Sequence, residues 1–301
     1  MRYHFQRASM LRRRSLGGLL LAACLLALAV PAAAAPHTLF VSILPQKSMV
    51  EAVAGDLARV EVLVPPGQSP ATFEPGPRQM TRLNDALAYF SIGVPFEDTW
   101  LPRLKQAHPQ VTFVDTREGI ELLPIAQHLH AVPDGMTLNP ERLDRHIWVS
   151  PRRMIEQTRS VRDALTRLLP EHAEQFRAGA ARHVAALEAL DRDMAETLSS
   201  VEGRAFMVFH PAWGYLARDY GLRQIPIEVD GREPGPRALQ ATIETALAEE
   251  VRVIFVQRQF NQEIARAVAD AVGAEVVAID PLAEDVLDNM RHIAEELARW
   301  L

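Results

Sequence analysis

Two histidines and one aspartate, each at the edge of an apolar run, are the residues in this chain best suited to chemistry. His146 lies in Asp144-Arg145-His146-Ile147-Trp148-Val149-Ser150-Pro151, where Pro151 stops any helix from running through. An imidazole on a short apolar segment is either a satisfied core group or a metal ligand held in a dry wall. Taken alone, the core group is the commoner case. His210 ends a second apolar run, Arg204 to Phe209, and Asp280 follows a third, Glu275 to Ile279. Two imidazoles and a carboxylate on three loops form a donor set for a first-row divalent metal. Asp280-Pro281 is by itself an ordinary turn starter; beside the two histidines it reads better as a ligand.

Most of the 301 residues must exist to position such a site. A hydrophobic content of 48% fits a globular chain long enough for two domains. Residues 1–35 stand apart. Arg12-Arg13-Arg14 precede an apolar run from Leu16 to Val30, and Ala32 to Ala35 supply the small residues of a cleavage site. That run is short for a membrane span and stops at Pro31, so export followed by cleavage is expected. Leu21-Ala22-Ala23-Cys24 resembles a lipobox, but Leu25 to Val30 stay apolar where a lipoprotein turns polar, which favours a soluble periplasmic product. Without residues 1–35 and their five arginines, 27 basic residues face 38 acidic ones, a net charge of −11 with histidine neutral. This excess argues against nucleic acid and suits a cationic ligand. Cys24 is the only cysteine, so the exported part has neither a disulfide nor a thiolate metal site.

Strand and helix patterns alternate through the remainder. Leu39 to Leu44, Val60 to Val64, Leu87 to Ile92 and Val111 to Val114 read as strands, with helices after Pro45 and from Pro77 to Ala86. Gly119 to Asn139 reads as a loop carrying His128 and His130. Pro151 to Leu169 is helical, and Pro170 opens a longer helix to about Ser200, whose Phe176, Ala180, Val184, Leu187, Met194 and Leu198 form one packing face. A second α/β unit then runs from Arg204 to the final amphipathic helix. The expectation is two mostly parallel-sheet α/β domains joined by one long helix: signal 1–35, first domain 36–169, linking helix 170–202, second domain 203–301. Ligands of open parallel sheets bind beyond the carboxyl ends of the strands. His146 belongs to the first unit, while His210 and Asp280 end strands of the second. A site joining all three must therefore lie in the cleft between domains.

The motifs in this order resemble those of the periplasmic zinc- and manganese-binding components of ABC transporters, the solute-binding proteins with a rigid connecting helix. The likeness covers nearly everything after residue 35. It runs through Val64-Pro65-Pro66-Gly67, Glu74-Pro75, Ile92-Gly93 and His146-Ile147-Trp148. It continues through Phe209-His210, Tyr215, Tyr220-Gly221-Leu222 and Asp280-Pro281-Leu282. It implies that His146, His210 and Asp280 are three of four metal ligands. A histidine at 210, where manganese binders of the family carry glutamate, points to Zn²⁺ rather than Mn²⁺. It also implies a monomer that delivers its divalent metal to a membrane ABC permease and catalyses nothing.

One departure matters. The family's first ligand histidine lies in a Pro-His-Thr-Tyr-Glu-Pro-like segment, and here Pro70-Ala71-Thr72-Phe73-Glu74-Pro75 puts Ala71 in its place. Water, Glu74, Gln68, His128 or His130 are the candidates for a fourth position, although Glu74 reads better as a cap or brace for the helix after Pro77. An open fourth position is also what catalytic zinc sites have. A metal-dependent hydrolase with Glu74 as base is therefore one alternative, and a metal-binding adhesin or periplasmic metal chaperone is another. Against the hydrolase, the chain has no His-Glu-x-x-His, Gly-x-Ser-x-Gly or phosphate-cradling glycine loop.

Overall fold

Two open sheets of four parallel strands carry the molecule. The computed structural model describes residues 35–125, 142–228, 231–260 and 262–301; the loop histidines His128 and His130 lie outside them. The first lobe runs β1 (His37–Val41), α1 (Leu44–Ala54), β2 (Ala58–Val62), α2 (Pro77–Leu83), β3 (Ala88–Ser91), α3 (Pro95–Ala107), β4 (Thr112–Asp115) and, directly after a 3-10 turn at Ile147–Val149, α4 (Pro151–Leu168). Next comes the long helix α5 (Ala173–Leu198). The second lobe runs β5 (Ala205–Val208), α6 (Gly214–Asp219), β6 (Arg223–Pro226), α7 (Pro236–Ala248), β7 (Val253–Val256), α8 (Glu263–Val272), β8 (Glu275–Ala278) and α9 (Val286–Trp300). The sheet orders are β2-β1-β3-β4 and β6-β5-β7-β8, the same winding twice. Every ladder is parallel. In each lobe the carboxyl ends of the strands form one rim, where ligands of such sheets bind.

The long helix is shorter than its sequence suggests. Pro170–His172 forms a 3-10 turn before α5, and Ser199–Val201 forms another after it. The 26 residues of α5 span about 39 Å at 1.5 Å per residue. Its buried face touches α1 and α4 of the first lobe and α9 of the second. One buried apolar cluster passes through both lobes, from Phe40 and Tyr89 through Ile147 and Trp148 to Trp213, Tyr215, Phe206 and Phe255. Polar contacts reinforce it: Ser150 Oγ, which also caps α4 at Arg153 N, donates to Asp219 Oδ2 at 2.5 Å. Arg152 pairs with Asp191 of α5, which also accepts from the Tyr220 hydroxyl at 2.9 Å.

Helix α3 has no counterpart in the sequence expectation. Pro102 sits inside it, where proline removes a backbone donor and masks the helical pattern. Its first turn matters to the rim, because Glu97 is buried there and accepts from Ile92 N at 3.1 Å, Gly93 N at 2.8 Å and the Ser42 hydroxyl. Burial pushes the Glu97 carboxyl above its ordinary range. The carboxylate thus ties together the loops that follow β1 and β3.

At Gly179, α5 passes close to the backbone of the first lobe. A Cβ there would lie 2.6 Å from the Val53 carbonyl and 2.7 Å from that of Ala52, both backbone atoms of α1. Gly179→Ala is therefore expected to destabilise the fold by about 1–3 kcal/mol through overpacking, although alanine is the better helix former. Urea denaturation of the metal-free protein measures it; equal or greater stability would contradict the contact.

Candidate metal centre

His146 and His210 meet from opposite lobes. Their Nε2 atoms lie 3.2 Å apart, and the ring centroids 5.2 Å. Each imidazole is held from behind by a carboxylate. His146 Nδ1 lies 2.7 Å from Asp144 Oδ1, which also accepts the His146 backbone N–H at 3.0 Å. His210 Nδ1 lies 3.2 Å from both oxygens of Glu228. Asp144 and Glu228 are almost fully buried, whereas the two imidazoles keep 18% and 19% of their side-chain surface exposed. Nδ1 on each ring therefore carries the proton and donates it to carboxylate, which leaves the lone pair on Nε2.

The local fold explains these positions. His210 and Glu228 each stand two residues beyond the paired ends Val208 and Pro226 of neighbouring strands, so the β5–β6 register sets them side by side. Gln257, just past β7, grips the His210 backbone from both sides: its Nε2 donates to His210 O at 2.8 Å and its Oε1 accepts from His210 N at 3.3 Å. Phe260 stacks on the His210 ring at 4.8 Å. On the other lobe, the Tyr215 hydroxyl of α6 donates to Asp144 O and accepts from Leu123 N, both at 3.1 Å. A second-lobe tyrosine thus fixes the first-lobe histidine segment. Trp148 meets the His146 ring edge-on at 5.2 Å.

Asp280 stands apart from the pair. It too lies two residues past its strand, β8, but its Oδ1 accepts from Gln259 Nε2 at 2.8 Å and from Leu282 N at 2.9 Å. Its loop is nonetheless attached to the histidine segment, because the Trp148 indole donates to Pro281 O at 2.8 Å. Among the described residues no three His, Cys, Asp or Glu side chains form a group able to hold a metal. Glu74 and Ala71 are exposed on the loop before α2. Gln68 lines a cavity together with Asp280. Sequence reasoning missed Asp144, Glu228, Gln257 and Gln259. For Glu228 a signal existed, since it follows β6 at the offset at which His210 follows β5.

The pair fits a tetrahedral cation. Zinc–imidazole bonds of about 2.0–2.1 Å at the tetrahedral angle separate two nitrogens by about 3.3–3.4 Å. Two bare lone pairs at 3.2 Å repel unless a proton or a metal lies between them. A proton is poorly held: burial pulls the His210 pKa down, the facing His146 and Arg142 pull the same way, and only Glu228 opposes them. Carboxylates behind both rings are the arrangement that orients metal-binding imidazoles and raises their basicity.

The family described as zinc-uptake complex component A, periplasmic, matches residues 39–300. The chain belongs to this family. The zinc-binding lipoprotein AdcA of Streptococcus pneumoniae serotype 4 is 29% identical over 79% of this chain and 48% of its own length. The high-affinity zinc uptake system protein ZnuA of Bacillus subtilis is 25% identical over 79% of this chain and 76% of its own. The chain spans about half the length of the AdcA relatives it matches. Among solved structures, a crystal structure of ZnuA is similar at 37% identity, with a TM-score of 0.81 over 88% of this chain and 99% of that one. Family members and relatives bear names of extracytoplasmic proteins, and no described helix here is long and apolar enough to cross a membrane.

The lowered His210 pKa gives a stability signature. In the unfolded chain the imidazole takes up a proton near its ordinary pKa of about 6.5, at higher pH than in the fold. Stability of the metal-free protein should therefore fall as pH drops from that value towards the folded pKa. His210→Ala removes this part of the dependence. Denaturation of both proteins above and below about pH 6.5 tests it; identical pH dependence would contradict the assignment.

Proposed function

We propose that this chain is an exported binding protein that captures Zn²⁺ between its two lobes and delivers it to a membrane ABC permease. The observation that carries the reading is the pair of carboxylate-backed imidazoles with Nε2 lone pairs 3.2 Å apart. His146 and His210 are the first two ligands and Asp280 the third, brought in from the loop that Trp148 already holds. Imidazole donors favour zinc over manganese. With Ala71 offering no donor atom, the fourth position is not filled by the loop before α2, and the exposed Glu74 remains a surface brace there. No chemical step is needed, since the metal is cargo.

The finer organisation follows the same reading. Residues 1–35 are the export signal, 36–169 and 203–301 are the lobes, and 170–202 is the connecting helix. The mature protein is a soluble periplasmic monomer, not anchored through Cys24. Names of relatives support the metal and the route: AdcA is named a zinc-binding lipoprotein and ZnuA a zinc uptake protein. Binding requires deprotonated imidazoles, so affinity declines as pH falls through the histidine range.

Zinc titration of the metal-free protein should show one site per chain. His210→Ala should weaken it at least about 100-fold, and Glu228→Gln, which leaves the ligand in place but alters its support, about 10–100-fold. Calorimetry against a competing chelator measures both. Unchanged affinity in His210→Ala overturns the proposal.

A further inference from the structure

The segment Asp144–Ser150, which carries His146, is bonded to three parts of the second lobe. The Tyr215 hydroxyl donates to Asp144 O, the Trp148 indole to Pro281 O, and Ser150 Oγ to Asp219. Towards the first lobe, Asp144 N donates to Leu123 O at 2.8 Å, in the loop after β4. Arg145 ties the segment to the rim of the first sheet itself. Its Nη1 donates to Gly93 O, just past β3, at 2.9 Å, and to Asp98 Oδ2 of α3 at 2.8 Å. The Asp98 carboxylate is 60% exposed, so that ion pair contributes little. Gly93 is buried, and an ionised donor on its carbonyl makes the stronger of the two bonds.

Gly93 is fixed from several sides. Its N–H donates to Glu97 Oε2 at 2.8 Å. Its φ of +82° lies in the left-handed region that glycine tolerates best. The Arg117 guanidinium covers it, so that a Cβ there would lie 2.1 Å from Nη1. Arg117 is itself held by both oxygens of Asp115, at 2.9 and 2.7 Å. Glu97, buried beneath the rim, also accepts from Ile92 N and from the Ser42 hydroxyl, which the Tyr89 hydroxyl meets at 2.6 Å. A carboxylate with three donors, sealed in the core, leaves the Gly93 peptide little freedom. Arg145 must follow Gly93, not the reverse.

We propose that Glu97, Gly93 and Arg145 form a relay that positions His146 for zinc, with Arg145 as the positioning residue next to the ligand. This rests on the reading of His146 and His210 as ligands. Arg145 O accepts the Ile147 N–H at 2.9 Å, so the anchored residue also closes the turn of backbone from which the imidazole projects. With the bond to Gly93 broken, the segment is held by the second lobe and the Leu123 loop alone, and His146 moves with them. The fraction of molecules whose two Nε2 atoms stand ready for one cation falls, and the apparent zinc affinity falls in the same proportion. The relay acts on the population of the binding-ready turn, not on the metal.

Zinc affinity is measured on the metal-free exported protein against a competing chelator, at a temperature where every variant is fully folded by circular dichroism. Arg145→Met, at a side chain 34% exposed, keeps the apolar stem and removes the donor. It should weaken zinc at least about fivefold, less than the loss of about 10–100-fold expected for a group bonded directly to a ligand ring. Glu97→Gln offers Ile92 N and Gly93 N one acceptor oxygen in place of two. It should weaken zinc at least about threefold in the parent and not at all beside Arg145→Met, since residues acting through one contact do not add. Gly179→Ala, which loosens α5 against α1 and not the relay, should lower stability and leave zinc affinity unchanged. Parental affinity in Arg145→Met overturns the inference. So do losses from the two substitutions that multiply, because Glu97 then acts by another route. Gly179→Ala weakening zinc as much as Arg145→Met also overturns it, because general loosening then accounts for the loss. Where Glu97→Gln is too unstable to purify, the contrast between Arg145→Met and Gly179→Ala decides. His210→Ala separates the two readings. If zinc binding survives that change, the metal-site assignment itself fails; if it is lost while Arg145→Met binds as the parent does, only the relay fails.

Discussion

Two imidazole nitrogens that both carry lone pairs are held 3.2 Å apart by the fold, and much of the molecule serves to keep them there. Left to themselves the rings would turn away, because the contact is repulsive without a cation. They cannot turn. Asp144 and Glu228 hold their far nitrogens, and Gln257 grips the backbone of His210 from both sides. The Tyr215 hydroxyl, reaching across from the second lobe, clamps the backbone of Asp144. Orienting groups of this kind hold ligands ready before the metal arrives, so that little ordering is left to oppose binding.

The second sheet shows how a regular fold delivers such a site. Each of its four strands is followed by a polar residue at or beside the candidate site: His210 after β5, Glu228 after β6, Gln257 and Gln259 after β7, Asp280 after β8. Three of these stand at the same offset from their strand ends, so strand register alone sets their spacing. The first sheet has the same winding order but serves differently. Its strand ends build the cavity wall at Ile43, Leu44 and Val64, while its histidine comes from the 3-10 turn before α4.

This division sets what could be read from the sequence. His146 and His210 were legible because a histidine at the edge of an apolar run is rare enough to draw attention, and the alternating units gave the parallel sheets. The packing face of α5 was legible from its period, though it is His183 that is buried there while its neighbour Val184 is only half-buried. Helix α3 was not legible, since Pro102 interrupts its pattern, and its buried Glu97 was lost with it. Asp144 and Glu228 were illegible for another reason. A carboxylate that orients an imidazole looks in sequence like any surface acid, and only burial and distance single it out.

Access to the imidazoles follows from where the apolar surface lies. Parting the lobes would expose Ile147, Trp148, Trp213 and Tyr215, all buried in one continuous cluster, and would break the bond from Ser150 to Asp219. Helix α5, packed on both lobes, would have to shed contacts on one of them. Moving the loop Asp280–Glu284 instead costs the Trp148 bond to Pro281 O and the ion pair of Lys47 with Glu284, the latter half exposed on its acidic side. Exposed ion pairs contribute little, whereas buried aromatic area contributes a great deal. The loop is therefore the cheaper element to displace. Asp280, sitting at its base and held by Gln259 and the Leu282 N–H, is the carboxylate whose position such a movement would alter first.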